Sequence, residues 1–396
     1  MPTRKIYFFY AVALGFLTMT GPVAIDLFLP AIPIIAESFH ISTVSVELSL
    51  TAIFAGNALG QLVYGPLSDR FGRKPIILSA MLIYFISAIG SGLASNIETL
   101  IVWRFIQGLI MASGRILANA VARDLYNQER LTKLITLIMF VSIFSSIGSA
   151  PFGGYLSEKY SWETIFWFMS FYAVGTFLIF LFFFKETIPA KDYKALNIND
   201  LINNFSMVIS NRQFYLNVIC GGFALGGIVA YLNSSSGVLI KGFGLSPFIF
   251  GLTFSAVIAS QAAATLISGK LIDHVNRNRL MKFSSLMVAC AGVAMFILSI
   301  NNVNHAAAVT VPMIVFAMGF AILWPQTVSA CLDPFPMNAG TASTLQGFIQ
   351  NSMATLVSAI LSIFSGSLAI PMSTAIAGSG ILAFCTCILS LKLANR

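Results

Sequence analysis

The stretch IYFFYAVALGFLTMTGPVAIDLFLPAIPIIA, residues 6–36, carries a single charged residue, Asp26. About 20 apolar residues cross the hydrocarbon core of a bilayer as a helix, so this stretch is long enough to span a membrane. An ionised side chain at that depth costs at least ~2.5 to 3.5 kcal/mol on insertion scales. The sequence therefore predicts a membrane-spanning first helix in which Asp26 is either functional or paired inside the helix bundle.

The whole chain has the composition of a membrane protein. Of its 396 residues, 57% are hydrophobic and 9% are charged, whereas soluble domains carry about 25% charged residues. The apolar runs are too long and too uniform for barrel strands, and lipid requires each helix to bond its own backbone. We predict an all-α membrane protein with twelve transmembrane helices, near 6–36, 45–66, 75–94, 98–121, 133–157, 162–184, 212–233, 246–270, 280–300, 306–330, 340–366 and 371–393.

Basic residues predict the orientation of the chain. With the N-terminus inside, Lys159 and Lys241 fall in outer loops and Arg104 and Arg115 in spans, which leaves eighteen of the 22 Lys and Arg residues on the inner side. Cytoplasmic loops carry such an excess, so both termini are predicted to be cytoplasmic. The net charge of +8 is explained by this bias and by anionic inner-leaflet lipid, and we predict no nucleic-acid partner.

Residue types that serve catalysis and metal binding are scattered. The five Cys residues lie in or at the ends of second-half spans, and His40, His274 and His305 fall at span ends, too far apart for a ligand cluster. The chain shows neither a nucleophile-base signature nor a phosphate-binding glycine loop. We therefore predict a protein that is not an enzyme and that uses no metal and no cofactor.

A polar connection, residues 185–213, divides the chain almost in half. GPLSDRFGRK at 65–74 follows the second span and GKLIDHVNRNR at 269–279 follows the eighth, with the same spacing of Gly, Asp and basic residues. A repeated six-helix unit explains this, and secondary transporters build a binding site between such repeats. We predict two six-helix halves with pseudo-two-fold symmetry, residues 1–190 and 212–396, joined by a cytoplasmic linker at 185–213.

Six motifs occur in order along the chain. They are DLFLPAIP (26–33), GQLVYGPLSDRFGRKP (60–75), WRFIQGL (103–109), VARDLY (121–126), SWETIFW (161–167) and GTASTLQGFIQ (340–350). Together they resemble the Bcr/CflA drug-resistance branch of the major facilitator superfamily, whose members are twelve-helix drug:proton antiporters. The resemblance covers essentially the whole chain and implies export of drugs in exchange for protons.

The resemblance assigns a conformational latch to the loop after the second span. Asp69 and Arg73 would join Asp124 in a charge network on the inner face, and Gly65 and Gly72 would allow the tight turn. Rocking between two states needs contacts that exist in only one of them, which favours a latch. The alternative is a basic anchor that sets topology, which explains the basic residues of the loop but not its Asp. Those basic residues are Arg70, Arg73 and Lys74.

Asp26 and Arg104 are the candidates for proton coupling. A carboxylate whose surroundings and partner change between two conformations can load and release a proton. Arg104 should lie at a comparable depth, so the two side chains are predicted to pair directly or through water, and the resemblance associates this Arg with proton coupling. The alternatives are that Asp26 caps the helix restarting near Pro30 and Pro33, and that Arg104 snorkels to the outer interface.

The fourth span carries a second basic residue, Arg115, eleven residues after Arg104 and on nearly the same helical face. The resembling family does not normally have a basic residue there. Arg115 favours an anionic or zwitterionic substrate, or it neutralises a carboxylate, although Glu47 is predicted to lie too near the outer surface to reach it. The alternative is an inner-leaflet contact by snorkelling.

Polar residues within the spans are the remaining cavity candidates. Lipid would penalise them, so they are predicted to face inward, where the alternative role is hydrogen bonding between helices. They are Asn57, Gln61, Tyr231, Asn233, Gln346 and Gln350.

Two positions depart from the family pattern. The fifth span reads Ala-Pro-Phe-Gly-Gly at 150–154, one residue shorter than the motif that the resemblance links to antiport. Thr18 stands where some relatives carry a second acidic residue in the first span, which disfavours divalent cationic drugs.

These features predict a bacterial inner-membrane exporter of small amphipathic molecules, driven by protons through alternating access and acting as a monomer. A first alternative is an exporter of one metabolite, such as a siderophore or a sugar derivative, which Arg115 favours. A second is a membrane sensor or scaffold without transport activity, although the sequence contains no additional soluble domain through which to signal.

Overall fold

The computed structural model describes residues 4–126, 128–188, 190–193, 198–271, 274–303, 305–335, 338–364 and 369–394. Within these ranges, twelve helical segments are long and apolar enough to cross a membrane, and the predicted all-α fold is confirmed. We number these segments spans 1 to 12: Tyr7–Ser38, Thr43–Phe71, Arg73–Gly92, Ile97–Leu125, Arg130–Lys159, Glu163–Phe183, Arg212–Gly242, Pro247–Leu271, Arg277–Ile300, Ala307–Leu332, Ala339–Phe364 and Ala369–Leu393.

Span 1 is interrupted just ahead of Pro30 and Pro33, where the sequence predicted a break. Proline has no N–H to donate and its ring clashes with the preceding turn. Asp26 follows the second helical segment, and its backbone N–H donates to the carbonyl of Pro22 at 2.8 Å. The four segments are Arg4–Thr18, Thr20–Ile25, the 3₁₀ turn Leu29–Ala31 and Ile32–Ser38.

Span 7 also changes its winding before it ends. The α-helix Arg212–Ser236 continues as a π-helical turn, Gly237–Gly242. In a π-helical turn the backbone hydrogen bonds join residues five apart instead of four, which widens the helix. The change coincides with a run of buried serines, so it lies where span 7 contacts the first six spans.

The first six spans meet the last six along two helix pairs, span 2 with span 11 and span 5 with span 8. A methyl group at Gly154 would lie 2.5 Å from the carbonyl oxygen of Pro247, and one at Gly251 would lie 2.5 Å from Cα of Pro151. Only glycine permits such an approach of two backbones. These contacts lie where span 5 ends and span 8 begins, and we call this side of the molecule the closed face.

The opposite side carries the loop between spans 2 and 3, the ends of spans 4 and 10, and the connection between spans 6 and 7. Most of the basic residues lie there, so we call it the basic face. Spans 1 to 6 and 7 to 12 separate towards the basic face and leave a cavity between them.

The connection between spans 6 and 7 contains a helix, Ile198–Ile209, that the sequence analysis missed. Val208 is buried and packs with Phe214 of span 7 and Phe335 beyond span 10. The apolar positions 198, 201, 202, 205, 208 and 209 recur at helical spacing, so a signal was present among the Asn and Asp residues. The division into residues 1–190, 185–213 and 212–396 stays a prediction.

Candidate substrate cavity and charge sites

A cavity of about 740 Å³ lies between the two groups of spans at the basic face. Spans 2, 4, 5, 10 and 11 line it, together with residues of the connection between spans 6 and 7. Cavities that bind small molecules measure about 300 to 1,000 Å³, so this one has room for a drug-sized ligand.

Arg115 of span 4 lines this cavity. Its side chain is exposed there, although it lies in the middle of the fold. The described residues place no carboxylate within ion-pair distance of its guanidinium. The cavity wall, and not the lipid-facing surface, is therefore the environment of Arg115 in this conformation.

Two of the six polar candidates reach the cavity, Gln61 of span 2 and Gln346 of span 11. The other four do not line it. They make contacts between helices instead, which is the alternative role named above. These contacts join Asn57 Nδ2 to Asn351 Oδ1 (2.9 Å), Gln350 Nε2 to the Val218 carbonyl (3.4 Å), Asn233 Nδ2 to Ser362 Oγ (3.1 Å), and the stacked rings of Tyr231 and Phe254 (6.3 Å).

Asp26 is 7% exposed, and its carboxyl group faces Ser146 of span 5. Neither the 3₁₀ turn nor the helix that restarts after it, Ile32–Ser38, receives a side-chain cap. The alternative in which Asp26 caps the restarted helix is therefore wrong. Its carboxyl group instead faces span 5, one of the helices that meet the last six spans.

Arg104 does not pair with Asp26 in this conformation. Its guanidinium lies 4.2 Å from the ring centroid of Phe28 and donates to Gln107 Oε1 at 2.6 Å. Asp26 and Phe28 are two residues apart, so they point to different sides of span 1: the ring meets span 4 and the carboxyl group meets span 5. The predicted direct contact fails for this reason.

Arg104 is also fully buried, which contradicts the alternative in which it snorkels to the interface. Its Nε and Nη2 atoms have no hydrogen-bond partner among the described residues. The ring of Phe28 supplies a cation–π contact in place of a counter-ion. Two donor atoms of Arg104 are thus left without a partner among the described residues in this conformation.

The charge network predicted for the basic face forms around Arg73. Its Nη1 atom lies 2.5 Å from Asp69 Oδ1 and 2.6 Å from Ser68 Oγ, and its Nε atom lies 2.9 Å from Asp124 Oδ2. Spans 2, 3 and 4 are tied together by these bonds. All three belong to the first six spans, so the network does not cross the cavity in this conformation, and its role as a latch stays a prediction.

The glycines of the latch motif have separate roles. Gly72 joins spans 2 and 3 with a φ of 106° and a ψ of 157°, a region essentially reserved for glycine. Gly65 lines the cavity, and a methyl group at its Cα would lie 4.0 Å from Thr344 Oγ1 of span 11.

Two basic residues of the predicted latch take no part in the network around Arg73. Lys74 donates to the carbonyls of Leu181 and Phe184 at 2.8 and 2.7 Å, and so bonds the end of span 6. The guanidinium of Arg70 lies 5.4 Å from the ring centroid of Phe71. A cation near the C-terminal end of a helix is favoured by the helix dipole, which explains the position of Lys74.

Glu186, which follows span 6, was not singled out from the sequence. It accepts hydrogen bonds from the backbone N–H groups of Arg73 (3.0 Å) and Lys74 (3.1 Å), and from those of Thr187 and Ile188. Its carboxylate therefore caps the start of span 3. Burial raises the pKa of Glu186, but the four backbone bonds outweigh it and hold the pKa below its ordinary value.

Near the closed face, a polar seam joins span 2 to the last six spans. The seam consists of Glu47 and Thr51 on span 2, Ser234 on span 7 and Ser358 on span 11. Ser234 Oγ donates to Glu47 Oε2 at 3.4 Å, and the hydroxyls of Thr51 and Ser358 are 2.7 Å apart. Glu47 is fully buried between the helices, in the first turns of span 2. These bonds must break if the groups separate on this side.

The family model of the Major Facilitator Superfamily matches residues 12–359. The chain belongs to this superfamily. It is therefore a transporter and not an enzyme.

Curated superfamily members resemble the chain over most of its length. Multidrug resistance protein D of Escherichia coli strain K12 is 28% identical over 85% of this chain and 84% of its own length. The bicyclomycin resistance protein homolog of Haemophilus influenzae is 24% identical over 94% and 93%. The uncharacterized MFS-type transporter YdgK of Bacillus subtilis strain 168 is 28% identical over 96% and 95%. The predicted resemblance to the Bcr/CflA branch is confirmed.

Solved superfamily structures share the fold. The crystal structure of a D-xylose-proton symporter superposes with a TM-score of 0.75 at 15% identity, covering 98% of this chain and 97% of the symporter. A bacterial homolog of the human lysosomal transporter Spinster, in an inward-facing and occupied conformation, gives a TM-score of 0.75 at 14% identity, covering 100% and 99%. At these identities the likeness establishes the arrangement of helices alone.

Proposed function

We propose that this protein exports small amphipathic molecules across the bacterial cytoplasmic membrane in exchange for protons, by rocking of two six-helix halves. The observation that carries the proposal is the cavity between spans 1 to 6 and 7 to 12, which is open towards the basic face while the closed face is sealed at Gly154 and Gly251. A transporter whose cavity opens on one side only is in one of the two states that alternating access needs. The names of the drug-resistance relatives favour drugs as substrates.

The orientation and assembly belong to the same proposal. We infer that the basic face is cytoplasmic, because cytoplasmic loops carry the excess of Lys and Arg. The cavity then takes its substrate from the cytoplasm. The cavity lies between the two groups of spans of one chain, and we propose that one chain suffices for transport.

Asp26 is the proposed proton carrier. Its carboxyl group is buried and faces Ser146 of span 5, a helix that packs against span 8 of the other group. When the halves rock, span 5 moves relative to span 8 and the surroundings of Asp26 change. Arg104, which retains two unpartnered nitrogen atoms, is proposed to stabilise the ionised carboxylate in the other conformation.

Flux in proteoliposomes tests this proposal. Purified protein is reconstituted, a pH step of one unit is imposed with the membrane potential clamped, and the movement of ethidium, Hoechst 33342 and dansylglycine is followed. One unit supplies about 1.4 kcal/mol per proton, which is enough for about tenfold accumulation in a one-for-one exchange. We expect the Asp26→Asn variant to lose this flux and to retain binding of the same probes.

Glu98→Gln is the matched control, since Glu98 is an exposed carboxylate in the first turn of span 4. It should transport like the unaltered protein. If Asp26→Asn retained full pH-driven flux, Asp26 would not carry the proton. Absence of pH-driven flux for every probe in the unaltered protein would contradict proton exchange itself.

A second candidate function is the export of one specific metabolite, and Arg115 on the cavity wall favours it. A dedicated site uses a fixed charge to orient one ligand, whereas a broad exporter relies on shape and apolar contact. Competition separates the two functions. Inhibition by several unrelated drugs supports the broad exporter, and inhibition by a single acidic metabolite supports the dedicated one.

A further inference from the structure

Among the residues that the structure describes, the inner end of the cavity contains one charged side chain, that of Arg115. Arg115 lies nine residues before Asp124 on span 4, and Gln61 lies eight residues before Asp69 on span 2. At 1.5 Å per residue, these two side chains start about 12 to 14 Å beyond the charge network of the basic face. Both line the cavity. The other charged lining residues belong to the mouth.

The charged residues at the mouth are of both signs: Asp69, Arg73, Arg123 and Asp192. Arg73 is held by Asp69 and Asp124, and the backbone of Asp192 bonds the carbonyl of Asp69 at 3.0 Å. Arg123, also on the lining, is exposed at the cytoplasmic end of span 4. Arg115 has no such neutralising carboxylate among the described residues. The field at the inner end of the cavity is therefore positive.

The remaining lining of the inner end is uncharged. Gln61 and Gln346 approach it from the two groups of spans, and the Gln61 side chain reaches Gly347 of span 11. Gln346 donates to Gln350 Oε1 at 2.5 Å. The apolar wall is formed by Ile116, Met139 and Trp324, among others. A ligand bound here meets one guanidinium, amide groups and an aromatic ring.

We propose that the cavity selects monoanionic amphipaths, with the ligand's carboxylate bound by Arg115 and its apolar body lying along Met139 and Trp324. This inference rests on the proposed transport function and names its substrate class. A planar guanidinium binds a carboxylate through two parallel hydrogen bonds. Low dielectric strengthens that attraction and, for the same reason, repels a cationic ligand.

Two dansyl probes of opposite charge test the proposal by equilibrium binding. Dansylglycine carries a carboxylate, and N-(2-aminoethyl)dansylamide carries an ammonium on the same fluorophore. Because Trp324 lines the cavity, energy transfer from tryptophan to dansyl reports binding there. The purified full-length protein is placed in phosphatidylcholine nanodiscs at about 0.15 M salt, the physiological value, with no pH gradient. We expect at least tenfold tighter binding of the anionic probe.

The variants locate this preference. Arg115→Gln should weaken dansylglycine at least tenfold and leave the cationic probe unchanged or tighter, and Arg115→Lys should retain part of the preference. Arg130→Gln removes an exposed basic residue at the start of span 5 that does not line the cavity, and should change neither probe. At a saturating concentration of dansylglycine, where the probe stays bound, Trp324→Phe should lower the energy-transfer signal, which places the probe beside Trp324.

Three results would overturn the proposal: equal affinity for both probes, preference for the cationic probe, or unchanged binding of dansylglycine to Arg115→Gln. Retained binding of the cationic probe shows that the Arg115 variants are folded. A repeat in nanodiscs containing phosphatidylglycerol distinguishes a lipid headgroup from a substrate, because an anionic lipid that occupies the site would displace dansylglycine. The binding measurement needs no pH gradient. A failure of proton-driven flux would therefore leave the measured preference for the anionic probe intact, and equal binding of the two probes would leave the flux result intact.

Discussion

The loop motif that follows span 2 is repeated after span 8, and in both copies its arginine forms an ion pair with an aspartate. The surroundings of the two ion pairs differ. Arg73 starts span 3 and binds Asp124 at the end of span 4, and Arg277 starts span 9 and binds Asp333 just after span 10 at 2.6 Å. The side chains of the first pair are 8% and 14% exposed, whereas those of the second are 37% and 44% exposed. One pair is largely shielded from water and the other is not.

The first ion pair is shielded from water by groups that the described part of the second loop lacks. Ser68, Asp69 and the backbone bonds to Glu186 surround Arg73. Asp273, the counterpart of Asp69, lies outside the described residues. Around Arg277, the described part of the chain adds a long contact with Ser329 Oγ at 3.5 Å. A repeated motif therefore specifies a contact but not its strength, which the neighbouring helices decide.

The largest expected effect is the loss of the shielded pair. Arg73→Ala leaves the carboxylates of Asp69 and Asp124 without their cation, and removal of one partner of a buried pair costs about 3 to 5 kcal/mol. The matched variant, Arg277→Ala, should cost about 1 kcal/mol at most, because its pair is exposed to water. Apparent melting temperatures of both purified variants, measured in one detergent at one scan rate, check this difference. Equal shifts would mean that burial does not separate the two pairs.

The next effect concerns the residue before each Arg. Gly72 has a φ of 106°, whereas Asn276 has a φ of −56° and caps its helix by accepting from the N–H of Asn278. Gly72→Asn forces a side chain into a conformation that costs about 1 to 3 kcal/mol, and its Cβ would lie 2.6 Å from Glu186. Asn276→Gly should cost about 0.3 kcal/mol. The same melting measurement should place the first variant well below the second.

A smaller effect is expected at Glu186, which caps span 3 with a charge, whereas Asn276 caps span 9 with a neutral side chain. Glu186→Gln should cost about 1 kcal/mol, the usual scale of a charge at a helix terminus. Because the folded pKa of Glu186 is lowered, its stabilisation is complete above the ordinary value of 4.5 and is lost as the pH falls through the lowered pKa.

A pH series of melting temperatures tests this prediction. The difference between the unaltered protein and Glu186→Gln should be constant at neutral pH and should shrink below pH 4.5. Asn276→Ala, which removes the neutral cap, should show a difference that does not depend on pH in this range. A difference at Glu186 that grew on acidification would have the wrong sign.

An effect smaller than that at Glu186 is expected for the exposed carboxylate of the second pair. Asp333→Asn should change stability by about 0.5 kcal/mol, and raising the salt concentration to about 1 M should remove most of that change. Asp124→Asn serves as the comparison, because its shielded pair should respond much less to salt. Melting of the two variants at low and high salt separates them, and an equal salt response would contradict the proposed shielding.

Several features of the site were readable from residue patterns because they depend on local chemistry. The apolar runs predict the spans, since lipid leaves a backbone no other partner. Pro30 and Pro33 predict the break in span 1, because a proline cannot continue a helix. The contact of Arg73 with Asp124 was implied by the family resemblance, and the structure places the two side chains together.

Other features depend on which helices are neighbours, and residue patterns do not encode this directly. Depth along the helices suggested that Arg104 meets Asp26. The Arg104 guanidinium and the Asp26 carboxyl group lie on different sides of span 1, so they do not meet. Glu186 caps a helix more than a hundred residues earlier in the chain, and Glu47 finds Ser234 across the two groups of spans. Such pairings are long-range, so only the packed arrangement reveals them.

By itself, the sequence determined that the chain forms twelve apolar helices, that a carboxylate and two arginines are placed within them, and that one loop motif occurs twice. These properties follow from the cost of polar groups in lipid, which acts on each segment separately. The tertiary structure decided that Arg115 lines a cavity, that Arg104 packs on an aromatic ring, and that one copy of the repeated ion pair is shielded while the other meets water. The reason is that exposure and partner are set by neighbouring helices, and no single helix contains that information.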